Sequence, residues 1–168
     1  MFLVGFMGAG KTSVGRALSR RLGLPFEDLD IRIQNREGKT IAEIFRESGE
    51  TGFRKAETAA LRELLGELRR APSVVALGGG TFVQTDHAAL IEEAEVRSVF
   101  LDAPVEELLR RCEQEQKERP LRQNPKQFRE LYENRRSSYM RASLRIETSG
   151  KDVETVAAEV ACSLELKP

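Results

Sequence analysis

The sequence holds a single histidine, His87, two cysteines, Cys112 and Cys162, and no net charge. Each shortage closes off a class of chemistry. A histidine-based triad or a histidine-rich metal site is limited to one candidate. That candidate sits in Gln84-Thr85-Asp86-His87, which reads as the start of a helix and favours a surface or capping role. Two cysteines without metal-ligand spacing make neither a zinc site nor a disulfide framework, so they read as free thiols in a reducing compartment. Basic and acidic residues balance at 27 each, which leaves no field to favour nucleic acid or an anionic membrane. No apolar run approaches the roughly 18 residues a bilayer span needs, and nothing resembles a signal or transit peptide. The cytoplasm is the expected compartment.

What is present suffices for one domain. The chain has 168 residues, 40% of them hydrophobic, enough for a core but too short for two ordinary domains. Its charges are numerous but mixed in sign, as on a solvated surface rather than in a disordered chain.

Strand and helix signals alternate. Phe2-Leu3-Val4 is a short apolar run, followed by a glycine-rich turn and by Lys11 to Leu22, with Val14, Leu18 and Leu22 at helical spacing. Pro25 to Leu29 alternates like a strand and ends in acids, and Ile31 to Phe45 suggests two short helices broken around Gly38. Gly49 and Gly52 punctuate the chain before Phe53 to Leu68, which carries Leu61, Leu64, Leu65 and Leu68 on one face. Ser73 to Leu77 reads as a buried strand running into Gly78-Gly79-Gly80, and Val96 to Leu101 as another, closed by Asp102-Ala103-Pro104. Pro104 suits the first turn of the next helix. Glu113 to Gln127, polar and holding Pro120 and Pro125, reads as a mobile loop before a helix over Phe128 to Met140. A last strand, Leu144 to Glu147, and a helix, Val153 to Leu164, close the chain. Such alternation implies a parallel sheet covered on both faces, because parallel strands need crossovers.

Gly5-Phe6-Met7-Gly8-Ala9-Gly10-Lys11-Thr12 fits GxxxxGK[ST] and lies between a strand and a helix, the context a P-loop requires. Glycines let backbone N–H groups turn toward phosphate oxygens, and the following helix presents its positive end. Lys11 then reaches the β- and γ-phosphates and the Thr12 hydroxyl holds Mg²⁺. The motif identifies a nucleoside triphosphate but not what receives the phosphate.

The receiving side is written elsewhere. Asp28 and Asp30, two apart at the end of the second strand, are expected on one face, where open α/β sheets bind ligands. One can hold Mg²⁺ through water and the other accept a hydroxyl proton; the plainer reading is an acidic turn that caps the next helix. Arg54 opens a helix after a glycine turn, and its guanidinium can grip a carboxylate bidentately. Glu57, three residues on, can steady that guanidinium. Three glycines at 78–80 after a buried strand point to close backbone approach, with N–H groups offered to a ligand oxygen.

Together these residues resemble the shikimate kinase family over essentially the whole chain. The resemblance is carried by Gly5 to Thr12, Asp28-Leu29-Asp30, Ile41-Ala42-Glu43-Ile44-Phe45 with Gly49-Glu50 and Phe53-Arg54-Lys55-Ala56-Glu57, and Leu77-Gly78-Gly79-Gly80. Arg119-Pro120-Leu121 and the pair Arg135 and Tyr139 complete it. It implies an α/β, three-layer P-loop NTPase fold with a five-stranded parallel sheet, order 2-3-1-4-5, of nucleoside-monophosphate-kinase type. It implies one domain over 1–168, with an acceptor-binding region at about 30–60 and a lid at about 112–124.

The activity implied is ATP-dependent phosphorylation of the 3-hydroxyl of shikimate in aromatic amino-acid biosynthesis, by a protein expected to be monomeric and to bind neither nucleic acid nor membrane. Position by position, Gly8, Ala9, Gly10, Lys11, Thr12 and Ser13 would cradle ATP, with Arg119 swinging in on the lid and Lys151 in the adenine-side segment Thr148-Ser149-Gly150-Lys151. Arg54 and Arg135 would bind the shikimate carboxylate with the backbone of Gly78, Gly79 and Gly80. Asp30 would hold the ring hydroxyls and act as base or orienter, while Thr12 and, through water, Asp28 would hold Mg²⁺. Lys11, Asp30 and Arg119 form the catalytic set. Three details depart from the family pattern: Leu29 stands where Ser or Thr is usual, Gln34 where Glu is frequent, and the lid from Glu113 to Glu118 is unusually acidic.

Rival readings fare worse. A gluconate-type kinase would share the P-loop but has no reason to combine Arg54, Gly79 and Arg135. A GTP-dependent switch would need an Asn-Lys-x-Asp element, and Asn124-Pro125-Lys126 does not supply it. A non-catalytic binder is disfavoured because every expected catalytic position is filled.

Overall fold

The computed structural model describes residues 1–114 and 124–166. Five strands form one parallel sheet: β1 (Phe2–Val4), β2 (Phe26–Asp28), β3 (Val74–Ala76), β4 (Ser98–Asp102) and β5 (Leu144–Glu147). Their spatial order is β2-β3-β1-β4-β5, and each neighbouring pair is parallel. Every residue of β1, β3 and β4 is buried, as it must be when crossover helices cover both faces of a sheet. Among the described residues, no helix is long and apolar enough to cross a membrane.

The helices are α1 (Lys11–Leu22), α2 (Leu29–Glu37), α3 (Ile41–Leu68), α4 (Thr85–Glu93), α5 (Val105–Gln114), α6 (Pro125–Tyr139) and α7 (Val153–Ser163). α1 buries Val14, Ala17, Leu18 and Leu22 and packs against α7 and the first three strands. Elsewhere in the same core, the ring of Phe6 in the P-loop meets Phe128 and Tyr132 edge-on at 5.0 and 5.5 Å. These aromatic contacts anchor α6, which carries Arg135, to the P-loop.

Three of the boundaries that differ from the sequence expectations bear on the site. Asp30 is not at the end of a strand: Asp28 closes β2, and α2 begins at Leu29 because the Asp28 carboxylate accepts the Asp30 N–H at 3.0 Å. Helix α3 is continuous in outline from Ile41, its N-terminus fixed by a Thr40–Glu43 capping box, and only Gly49 (φ 63°, ψ −170°) breaks it. Gly52 lies inside the helix instead of punctuating it. Pro125 occupies the first turn of α6, capped by Asn124, whose side chain accepts the Gln127 N–H at 3.2 Å. The helix therefore starts three residues before the sequence reading placed it. The lid expected over 112–124 begins as the end of α5; Arg119, Pro120, Leu121 and the rest of 115–123 lie outside the described residues.

Candidate active site

The P-loop follows β1 directly. Gly5 and Gly8 have φ of 146° and 78°, and a Cβ on Gly8 would lie 2.6 Å from the Leu108 carbonyl oxygen and 3.0 Å from Cys112 Sγ. No side chain fits there, so the loop can curl tightly over α5. Gly10 caps α1 in the left-handed region with no side-chain hydrogen bond, so the first amides of α1 keep their positive end open to an anion. Lys11 Nζ is folded back onto the loop, donating to the carbonyls of Gly5 at 2.9 Å and Phe6 at 3.0 Å. Thr12 Oγ1 lies 3.3 Å from Asp28 Oδ2. Asp28 thus caps α2 with one oxygen and faces the P-loop threonine with the other.

The glycine run after β3 is the meeting point of the acceptor side. A Cβ on Gly78 would stand 2.8 Å from Asp30 Oδ1, one on Gly79 3.7 Å from Arg135 Nη1, and one on Gly80 3.1 Å from Arg54 Nη2. Three successive glycines therefore each leave room for a different functional side chain, brought in by α2, α6 and α3. The same imagined Cβ on Gly79 lies 3.9 Å from the Gly5 carbonyl oxygen, so this cluster abuts the mouth of the P-loop. Arg135 and Arg54 therefore lie beside neighbouring glycines, 79 and 80.

Each arginine is held by its surroundings. Arg54 donates to the buried Glu57 at 2.7 Å and to Glu50 at 3.2 Å. Burial opposes its charge, but those hydrogen bonds and the two carboxylate charges outweigh it and raise its pKa. Its Nε–H is buried with no partner among the described residues. Arg135 lies against Tyr139, whose hydroxyl donates to the Gly79 carbonyl. Burial pushes the Tyr139 pKa up to about 12, with the Arg135 charge pulling the other way.

Several side chains that the sequence named without this role, or not at all, also shape the site. Phe45 stacks on Phe53 with centroids 4.7 Å apart and is 40% exposed, and the Arg54 guanidinium lies over the Phe53 ring at 5.2 Å. The spacing of these aromatics around Gly49 was the available signal. Arg111 donates to Thr148 Oγ1 at 3.0 Å and to its carbonyl at 2.9 Å, pinning the turn at 148–150. Buried Asp102, at the end of β4, accepts from Arg136 at 3.1 Å, Arg145 at 2.9 Å and Tyr132 at 3.3 Å. Lys151 is engaged by both oxygens of Glu159 at 2.9 and 2.7 Å, on α7. Gln34 accepts the Ile41 N–H at 3.3 Å and so ties α2 to the start of α3. His87 is not at the surface: it is 3% exposed and lies against Thr58 and Thr81.

A phosphate-binding loop at the carboxyl edge of a 2-3-1-4-5 parallel sheet, facing an acid and two arginines, places this chain among the P-loop kinases. Comparison with known proteins narrows the class. The shikimate kinase family profile matches residues 7–165, and the chain belongs to that family. It is 37% identical over 160 residues to the shikimate kinase of Persephonella marina, covering 95% of each chain. It is 44% identical over 162 residues to that of Geobacter sulfurreducens, covering 95% of this chain and 87% of the relative. The solved shikimate kinase of Acinetobacter baumannii in complex with shikimate superposes with a TM-score of 0.86 at 39% identity, covering 98% of this chain and 92% of that one.

Proposed function

We propose that the chain transfers the γ-phosphate of ATP to the 3-hydroxyl of shikimate, giving shikimate 3-phosphate and ADP. The carrying observation is the convergence of Asp30, Arg135 and Arg54 on Gly78, Gly79 and Gly80 beside the P-loop. The two guanidinium groups suit a carboxylate. Phe45 and Phe53 offer an apolar surface beside it. With the acid anchored, a ring hydroxyl is directed toward Asp30 and the P-loop. Its oxygen attacks the γ-phosphorus, the bond to the β-phosphate oxygen breaks, and the hydroxyl proton passes to Asp30. Such help from a base is worth on the order of 10²-fold. Lys11 has more to contribute, because a loose transition state is stabilised chiefly by positioned charge.

The oxygens of Thr12 and Asp28, 3.3 Å apart, fit a magnesium ion, which takes one or two protein oxygens and fills its octahedron with phosphate and water. When bound, the ion would neutralise charge on the β- and γ-phosphates; Thr12 would hold it directly and Asp28 through water. We assign the segment 148–151 to the adenine and Arg119 to the phosphates. We infer that the enzyme works as a monomer in the cytoplasm, in aromatic amino-acid biosynthesis, as one domain with its acceptor-binding region at about 30–60 and without nucleic-acid or membrane partners.

The test is acceptor-dependent ADP formation with magnesium and a panel of shikimate, gluconate and nucleoside monophosphates. Shikimate alone is expected to respond, and chelation with EDTA to abolish the response. No response to shikimate would overturn the assignment. A gluconate-type activity has no observation in its favour that shikimate lacks.

A further inference from the structure

The one histidine belongs to neither substrate site, yet it is buried and joins two elements that do. Nε2 of His87 lies 2.7 Å from Thr58 Oγ1 on α3, and Nδ1 lies 3.3 Å from the Thr81 carbonyl. Thr58 sits one turn after Arg54, with its hydroxyl 2.8 Å from the Arg54 carbonyl. Thr81 directly follows Gly80 and donates its hydroxyl to Glu57 at 2.6 Å. Glu57 holds Arg54 Nη1 at 2.7 Å. The contacts close a circuit: Arg54, Glu57, Thr81, His87, Thr58 and back to Arg54. Among the described residues Nδ1 faces two acceptors, the Thr81 carbonyl at 3.3 Å and Glu57 Oε2 at 3.8 Å, so we assign it the proton. Nε2 faces the Thr58 hydroxyl, whose single proton has two acceptors within reach, Nε2 and the Arg54 carbonyl.

We propose that His87 is a positioning residue for acceptor binding: a buried strut, planted on α4, that sets the gap between Arg54 and the glycine run. It touches neither substrate. Gly80 is one residue from the strut's foot at Thr81 and leaves only 3.1 Å between its imagined Cβ and Arg54 Nη2. A shift of α4 against α3 would therefore change the opening in which the acid is gripped, and leave the P-loop, carried by β1 and α1, untouched. A buried histidine that merely fills space would affect stability and both substrates alike. A strut on the acceptor side affects one.

This inference rests on shikimate as acceptor. Steady-state kinetics with shikimate and ATP varied separately test it. His87→Leu keeps the bulk and loses both polar arms; we expect the shikimate KM to rise about tenfold, as small misplacements of a binding group do, with the ATP KM within about twofold. His87→Asn retains a donor near the Nδ1 position and is expected to recover most of the lost affinity. Thr58→Val cuts the other arm, is expected to raise the shikimate KM by about threefold, and should add little on top of His87→Leu because both break one circuit. An unchanged shikimate KM in His87→Leu, or an equal rise for both substrates with a lowered melting temperature, overturns the proposal. If His87→Leu does not fold, Thr58→Val decides by the same split. A wild-type protein inactive on shikimate sinks the assignment of substrate instead. The strut is then judged from a crystal structure of the His87→Leu or Thr58→Val variant, in which an Arg54 guanidinium still seated against Gly80 would refute it.

Discussion

The two halves of the site are built in opposite ways. The phosphate side is a single stretch, Gly5 to Thr12, whose geometry is local: positive-φ glycines, an uncapped helix start and a lysine folded onto its own loop. The acceptor side has no stretch of its own. Asp30, Arg54 and Arg135 arrive on three helices and meet at the glycine run, residues 78–80, that follows β3. A contiguous motif carries its own geometry wherever the chain places it. An assembled one is only as accurate as the packing behind it, and here that packing includes buried polar partners for each arginine.

That contrast can be broken by experiment. The largest effect is expected at the local half: Lys11→Met should lower kcat by about 10³-fold or more, by removing a charge from the transition state, while the melting temperature stays close to wild type. Turnover near the wild-type rate would remove Lys11 from the mechanism. Arg54→Lys comes next. Without a planar fork it cannot hold Glu57 and a carboxylate together, so the shikimate KM should rise by about 10- to 100-fold with ATP little affected. A rise in both KM values would mean the halves are not separate.

Tyr139→Phe is the mildest. It leaves the Gly79 carbonyl without its donor and should cost about 1–3 kcal/mol by denaturant unfolding, with a smaller change in turnover. Its pH dependence follows from the raised pKa. The fold favours the protonated phenol, so the contribution is complete below about pH 10 and fades as pH rises toward about 12. Wild type and Tyr139→Phe should therefore converge in stability at alkaline pH. A gap that widened there would contradict the assigned cause.

What was legible in the sequence follows the same division. The bounds of β1, α1 and β5 agree with the sequence reading because short-range patterns decide them. The acid pair was read as strand alternation, yet the Asp28 carboxylate stops the strand by capping α2, a competition between period and cap that spacing alone cannot settle. Gly52 was read as a break, but buried Phe53 beside it holds the helix on through a residue whose cost is only about 1 kcal/mol. Pro125 was read as loop because proline interrupts helices, although it is well tolerated in a first turn. His87 looked superficial because its partners, Thr58 and Thr81, are unremarkable in sequence and become partners only when α4 lies against α3. The convergence of the two arginines was expected from family resemblance; the three-glycine seat that receives them needed coordinates.

Asp28 carries a last consequence. One of its oxygens fixes the first turn of the helix that bears Asp30, and the other looks toward Thr12. A cation arriving with the nucleotide would pull on a carboxylate that is also the hinge pin of the helix bearing the proposed base, Asp30. Loading one substrate would thus tune the orientation of the group awaiting the other, through a single side chain and without movement of any domain.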